Sequence, residues 1–164
     1  MTNGTIDTDA STTVTIDNVI AGTTLYKTGA GTLALGNAAN TFTGLDVQAG
    51  TVQLIVADAI PTTATVVVGA SSGNATLDLN GFDQTVDGIT LGAASPASGS
   101  LTSSVVGAGT LTLNNNLTYN AGGGGALDNG GATISSNVDL GTGNRQVVVN
   151  DSSNAADDLT ISGV

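Results

Sequence analysis

The chain lacks most of the residues on which protein chemistry depends. Its 164 residues include no cysteine, histidine or tryptophan, and all 13 acidic residues are aspartate. These absences exclude zinc sites of the usual kind, disulfide frameworks and Ser-His-Asp or Cys-His nucleophiles. Lys27 and Arg145 are the only cations, and the net charge is −11. Because nucleic acids and anionic membranes are bound mainly by Lys and Arg, we expect neither kind of partner.

Residues that usually cover the solvent face of a helix are scarce, since the chain has no Glu, one Lys, one Arg and four Gln. Residues that favour strands are abundant. Short alternating runs of β-branched and apolar residues recur between Gly, Asn, Asp and Ser: residues 13–17, 32–35, 51–55, 65–68, 76–79, 88–91, 110–113, 145–149 and 159–161. Such runs predict short strands joined by tight turns, and hence an all-β protein.

Internal repeats favour a solenoid over a sandwich. The heptapeptide Gly29–Leu35 recurs almost letter for letter at 107–113, and a weaker copy occupies 49–54. The centres of successive repeats recur at a fairly regular spacing: Leu33, Val52, Leu77 and Leu101. A period of roughly 20–25 residues is typical of a solenoid whose turns contain two or three short strands and stack in parallel.

Alternation along these strands predicts which side chains form the core. Every second residue should point inward and stack on its counterpart in the next turn. The predicted core residues are Leu33, Leu35, Val52, Leu54, Leu77, Leu79, Leu111 and Leu113. Threonines and small residues are left for the outer surface.

A longer repeat links the two ends of the chain. Val14–Val19 and Leu159–Val164 align without gaps at an offset of 145 residues. We therefore interpret residues 1–164 as a single module, either a fragment or one unit of a longer tandem array. The last residues would restart the first strand and leave a bare sheet edge, which predicts end-to-end self-association.

The N-terminus has neither the basic region nor the apolar stretch of a signal peptide. No apolar run approaches the roughly 18 residues of a transmembrane helix, so we expect no membrane insertion by this segment. The chain is either cytosolic or, as we favour, a piece of a longer exported protein.

Residues 27–54 contain an extended motif. Residues 27–44 read KTGAGTLALGNAANTFTG, and a strand and a closing Gly50-Thr-Val follow. This stretch resembles the passenger-associated repeat of bacterial autotransporters, whose pattern is K-x-G-x-G-T-L-x-L and then N-T-Y-T-G, with Phe42 here in place of Tyr. Residues 159–164 look like the start of another copy. The resemblance implies a right-handed parallel β-helix that is exported through the outer membrane and displayed at, or released from, the bacterial cell surface.

The aromatic and asparagine residues are interpreted as structural. Tyr26, Phe42, Phe82 and Tyr119 are predicted to be core stacks or caps, and a sugar-binding platform is the alternative. Several asparagines follow predicted strands, where an amide tolerates left-handed backbone and can bond the next turn's amide in a ladder. These are Asn37, Asn40, Asn80 and residues 114–116.

The densest acidic groups are Asp78, Asp83 and Asp87, and Asp151, Asp157 and Asp158. A polysaccharide-cleaving solenoid would need clustered carboxylates, commonly with calcium or a nearby cation. Lys27 and Arg145 are both isolated in sequence, so we interpret these acids as solvated turn residues. Calcium binding through Asp157 and Asp158 is left open.

The glycine-rich run 122–131 resembles a calcium-binding nonapeptide and a phosphate-binding loop. Leu127 occupies the aspartate position of the first, and the second lacks its lysine. We interpret this run as a turning corner.

We therefore predict a non-catalytic structural or adhesive segment of a bacterial surface or secreted protein, with no catalytic, cofactor-binding or metal-binding residues and no cofactor. Its ligand could be a host or polysaccharide surface. One alternative is a self-assembling extracellular fibre subunit. The other is a carbohydrate-binding or polysaccharide-cleaving β-helix, which an accessible tyrosine or phenylalanine would favour.

Overall fold

A computed structural model of the chain describes residues 2–69, 71, 73–92, 101–120, 131–150 and 158–163. Within these ranges the chain forms short strands of 3 to 5 residues and no helix. The strands are β1 (Gly4–Asp7), β2 (Thr13–Ile16), β3 (Thr24–Thr28), β4 (Thr32–Leu35), β5 (Gly44–Val47), β6 (Gly50–Leu54), β7 (Thr65–Val68), β8 (Ala75–Asp78), β9 (Gln84–Val86), β10 (Gly88–Leu91), β11 (Ser103–Val106), β12 (Thr110–Leu113), β13 (Leu117–Tyr119), β14 (Ala132–Ile134), β15 (Asn137–Asp139), β16 (Val147–Val149) and β17 (Leu159–Ile161).

Each strand pairs with strands of the neighbouring turns, and the pairs are parallel. Two sheets have seven strands each, in the orders β1-β3-β5-β7-β10-β13-β16 and β17-β14-β11-β8-β6-β4-β2. A third sheet has three strands, in the order β15-β12-β9. The prediction of an all-β parallel solenoid is confirmed. In the part of the chain that the structure describes, no helix is long and apolar enough to span a membrane.

The turns lengthen along the chain. Asn40 and Ala59, which are hydrogen-bonded across one early turn, are 19 residues apart. Asn120 and Asn150, which are bonded across one late turn, are 30 residues apart. The first increase comes from longer loops, since Val52 and Leu77 are 25 residues apart with only β7 between their strands. The third sheet adds to it from β9 onward, because each added strand and its corner need extra residues. The predicted period of roughly 20–25 residues therefore describes the early turns better than the late ones.

One predicted repeat centre is wrong for the same reason. Leu33, Val52 and Leu77 stack in consecutive turns as predicted, but the residue that stacks on Leu77 is Val105. Leu101 lies outside the strands, packed against the core. The turn between Leu77 and Val105 contains both β9 and β10, so it is longer than the turns before it.

The core is a set of stacked columns of inward side chains. All eight predicted core residues are completely buried, which confirms the alternation argument. The other seven-stranded sheet contributes a facing column of similar residues: Leu25, Leu45, Val66, Ile89 and Leu117. Apolar stacking of this kind runs through the described turns.

The two copies of the repeated heptapeptide occupy different sheets. The first forms β4 in a seven-stranded sheet, and the second forms β12 in the three-stranded sheet. Both begin at a glycine with positive φ, 71° at Gly29 and 90° at Gly107. A β-carbon on Gly29 would collide with the carbonyl oxygen of Thr8. The motif therefore encodes a tight corner followed by a strand, and it does not fix which sheet that strand joins.

Adjacent residues of β12 provide a test of the inward and outward assignments. Leu111 is buried and Thr112 faces outward. We expect Leu111→Ala to lower the free energy of unfolding by about 2–5 kcal/mol, because it removes core contacts and leaves a cavity. Thr112→Ala should change it by no more than about 0.5 kcal/mol. Urea unfolding followed by circular dichroism measures both, and equal effects would contradict the assignment.

Candidate functional surfaces

Strand β3 places a lysine inside the solenoid and a tyrosine outside. Leu25 and Lys27 share the buried face, whereas Tyr26 lies on the outer face and is partly exposed. The prediction that Tyr26 belongs to the core is therefore wrong, because alternation from Leu25 fixes its direction. Phe42 and Tyr119 are buried as predicted, and Phe82 is partly buried against the core.

Tyr26 has polar neighbours on the next strand of the outer face. Its partner in the parallel register is Asp46. The Gln48 side chain donates a hydrogen bond to Asp46 Oδ2 at 3.1 Å. Burial raises the pKa of the Asp46 carboxyl, and the bond from Gln48 acts in the opposite direction. An accessible aromatic ring, a carboxylate and an amide thus share one surface, which is the feature that the carbohydrate-binding alternative requires.

A column of hydroxyl groups covers the outer face of the other seven-stranded sheet. Its members are consecutive partners in the register, one from each strand: Thr13, Thr32, Thr51, Thr76, Ser104, Thr133 and Thr160. Neighbouring hydroxyls can bond to one another, as Thr76 and Ser104 do at 2.9 Å. The structure thus agrees with the expectation of an outer surface of threonines and small residues.

Asn40 joins three successive turns. Its side chain is 5% exposed. Its Oδ1 accepts a hydrogen bond from the backbone N–H of Ile20 at 2.7 Å, and its Nδ2 donates to the carbonyl of Ala59 at 2.9 Å. Strand pairing stops at this corner, so the amide satisfies backbone groups that have no strand partner.

The other predicted asparagines also follow strands but do not form the expected amide-to-amide ladder. They bond mainly to backbone groups of a neighbouring turn. Asn37 Nδ2 donates to the Asp17 carbonyl at 2.8 Å, and Asn80 Nδ2 donates to the Leu54 carbonyl at 3.0 Å. Asn80 also has a positive φ of 51°, as its side chain permits. In both cases a backbone carbonyl of the preceding turn takes the amide donor that a ladder would use.

The aspartates serve mainly as acceptors at corners. Asp58 Oδ1 accepts from the Thr85 N–H at 2.9 Å, and Asp83 Oδ1 accepts from the Thr110 N–H at 2.8 Å. Asp78 faces outward as predicted and accepts from the Gln53 side chain at 2.9 Å. These bonds link one turn to another through a carboxylate and a backbone or amide donor.

The described acids do not converge on a site. No group of three or more His, Cys, Asp or Glu residues within the described ranges could hold a metal ion. Asp78, Asp83 and Asp87 are divided between the ends of β8 and β9. Asp151 and Asp157 lie outside the described residues, as does most of the glycine-rich run 122–131.

One surface groove has a volume of about 290 Å³ and lies where two turns meet. Its lining is Gly107, Ala108, Gly109, Ser135, Ser136 and Asn137. None of these side chains titrates in the physiological range, so the groove offers hydrogen-bonding groups and no acid-base pair.

Two buried polar residues have structural roles that the sequence interpretation missed. Gln84 accepts from the Ile60 N–H at 2.9 Å and donates to the Ile60 carbonyl at 2.7 Å. Its amide thereby takes the place of a neighbouring strand where the third sheet begins. Lys27 is completely buried, and its ammonium bonds to backbone carbonyls. Strict alternation from Leu25 was the sequence signal that could have revealed Lys27.

Fold and surface together define a parallel β-solenoid segment with a polar, hydroxyl-rich exterior. The family comparison is more specific: residues 25–54 match the passenger-associated-transport-repeat. The resemblance inferred for residues 27–54 is confirmed, and the match begins two residues earlier. No curated protein and no solved structure matches the chain.

Asn40 provides a test of the side-chain bridges between turns. We expect Asn40→Ala to lower the free energy of unfolding by about 2–4 kcal/mol, because it leaves two backbone groups without their side-chain partner. Asn115→Ala is the matched control. Asn115 is exposed and bonds to the N–H of the adjacent Asn116, so a loss below about 0.5 kcal/mol is expected. Denaturant titration would show equal losses if Asn40 did not bridge the turns.

Proposed function

We propose that this chain is a structural, non-catalytic segment of an exported bacterial surface protein, displayed at the cell surface or released from it. The passenger-associated-transport-repeat at residues 25–54 carries the proposal. The remaining described turns continue the same parallel solenoid on both sides of that repeat. A rigid stack of this kind extends from a surface without needing a reaction centre.

The exterior supports an adhesive role for the segment. Repetition of the outer positions places like groups at regular intervals, roughly 4.8 Å apart along a sheet. Tyr26, with Asp46 and Gln48, supplies the accessible ring and hydrogen-bonding groups suited to a saccharide ligand. The acids of the described turns are used mainly at corners, which favours binding over cleavage.

Surface display is tested by labelling cells of the source bacterium with antibodies against the purified chain. We expect intact cells, or their culture medium, to contain the labelled protein without permeabilisation. Label that appears only after the cells are permeabilised would contradict export. Release of reducing ends or unsaturated products from a polysaccharide incubated with the purified chain would contradict the non-catalytic part of the proposal.

A second role, as a subunit of an extracellular fibre, is favoured by apolar residues that are exposed on the outermost strands that the structure describes. Several inward-facing residues of the terminal strands are 38% to 47% exposed: Val14, Val147, Val149 and Ile161. Their partners one turn further in are completely buried: Leu33, Leu117, Tyr119 and Ile134. Val14 and Ile161 belong to one column, so a second copy displaced along the axis would bring its Val14 onto Ile161. Such head-to-tail contacts do not close into a ring, and they build filaments.

Concentration-dependent sedimentation tests this end-to-end contact. We expect the purified chain to associate as its concentration rises, and more strongly in salt, because salt screens repulsion between copies of charge −11. Ile161→Asp should weaken association by placing a charge in the apolar contact with Val14. Thr160→Asp, on the outer face of the same strand, is the control and should leave association unchanged. A single monomeric species at all concentrations would contradict the fibre role.

A further inference from the structure

Lys27 interrupts a column of apolar residues in the solenoid interior. The residues that share its column are Ile6, Val47, Val68, Leu91, Tyr119 and Val149. Burial lowers the pKa of the Lys27 ammonium, and nearby Asp7 acts in the opposite direction. A methionine at this position would fill the core equally well. Packing therefore does not explain why the buried residue carries an amine.

Three backbone carbonyls surround the ammonium and match its three protons. Nζ donates to the carbonyls of Thr28 and Gly29 at 2.8 Å each, and to that of Ala49 at 3.1 Å. The first two carbonyls belong to the corner between β3 and β4. The third belongs to the corner between β5 and β6, one turn later. Lys27 therefore holds two consecutive corners in one fixed relation.

The corner that Lys27 holds is closely packed. Gly50 has a positive φ of 70°, and a β-carbon there would lie 2.5 Å from the Gly29 carbonyl and 2.8 Å from Lys27 Nζ. Only glycine allows the next turn to approach the ammonium this closely. The lysine and the glycines of the motif K-x-G-x-G-T-L and its closing G-T-V thus act as one unit.

The second copy of the heptapeptide satisfies its corner with a different donor. The position two residues before Gly107 is Val105, which is buried. The Gly107 carbonyl instead accepts from the buried hydroxyl of Ser136, a residue of the following turn, at 2.9 Å. Nearly identical heptapeptides are therefore distinguished by the buried donor that each one requires.

Apolar alternation cannot by itself fix the register of such a stack. A slip of one residue would expose the core, but a slip of two residues keeps every apolar side chain inside. Strands as similar as β4 and β6 are open to the second kind of error. A buried ammonium that must bond to three particular carbonyls distinguishes the native register from a slipped one. A slip would leave the charge without hydrogen-bond partners among apolar residues.

We propose that Lys27 is a register key: its buried ammonium specifies how the turn containing β5 and β6 stacks on the turn containing β3 and β4. Stability is the lesser part of this role, because burial of a charge costs about as much as its contacts return. The role concerns the passenger-type repeat as a folding unit and does not depend on where the protein is displayed.

Disulfide trapping can read the register directly, since the chain has no cysteine of its own. Thr32 and Thr51 are partners on the outer face of β4 and β6, so T32C/T51C should cross-link readily on refolding under oxidising conditions. T32C/Q53C reports a slip of two residues. In the native register those two residues are separated by more than the roughly 7 Å limit for a disulfide.

We expect Lys27→Met to raise the slipped cross-link about tenfold or more, the change implied by losing one charge-assisted hydrogen bond. Val52→Ala is the control, because it weakens packing in β6 without touching the key. Val52→Ala should lower the melting temperature without changing the yield of the native cross-link. Lys27→Gln has two donors on a shorter side chain, so it should give an intermediate amount of slipped product.

If Lys27→Met does not fold, the same cross-linking measurement is made on Lys27→Gln. Native cross-links alone in every folded Lys27 variant, whatever their melting temperatures, would overturn the proposal and leave Lys27 as a packing residue. Slipped product in Val52→Ala equal to that in the Lys27 variants would overturn it as well, because any loss of stability would then cause the slip.

Discussion

The structure depends on hydrogen bonding between successive turns. A short strand satisfies its backbone groups only through the strands one turn before and one turn after it, which are distant in sequence. No strand is stable alone, and each turn serves as the template for the next. The inward columns of Leu, Val and Ile follow from this pairing, because a parallel register without slip stacks like upon like.

Strand pairing stops at the corners, where side chains provide the hydrogen bonds between turns. Asn40 and Asp83 bond backbone groups of other turns, Gln84 substitutes for a strand where the third sheet begins, and Lys27 brings an ammonium to three carbonyls. The chain thus uses its few amides and charges chiefly where pairing is interrupted. The preference for Asp over Glu agrees with this, since a short carboxylate reaches nearby backbone donors. Among the described aspartates, Asp46 departs from this pattern: it lies within β5, faces outward beside Tyr26 and has a raised pKa.

The sequence predicted the parallel solenoid, the eight core residues and the passenger-type repeat, because period-2 alternation and the repeated glycine corners are local signals. It did not predict the sheet that each strand joins. Residues 29–35 and 107–113 are nearly identical, yet they form β4 and β12 in different sheets, since the intervening turns gain a third strand. Predictions based on hydrophobicity also placed Tyr26 wrongly in the core and did not identify Lys27 as a buried residue. A lysine is tolerated inside because the fold brings three carbonyls together around its ammonium. Such long-range partners are invisible until the turns are stacked.

The third sheet begins only part of the way along the chain, so the resistance of the solenoid to force differs between its turns. In a parallel stack the hydrogen bonds between strands run along the axis, so an axial pull loads them directly. Turns at the beginning of the chain hold together through two rows of such bonds, whereas β9, β12 and β15 add a third row further along. Force applied along the axis would therefore separate the turns of β1 to β6 before the wider turns. The passenger-type repeat lies among the turns that would separate first. The hydrogen bonds of the Lys27 ammonium are among the contacts that hold those turns together.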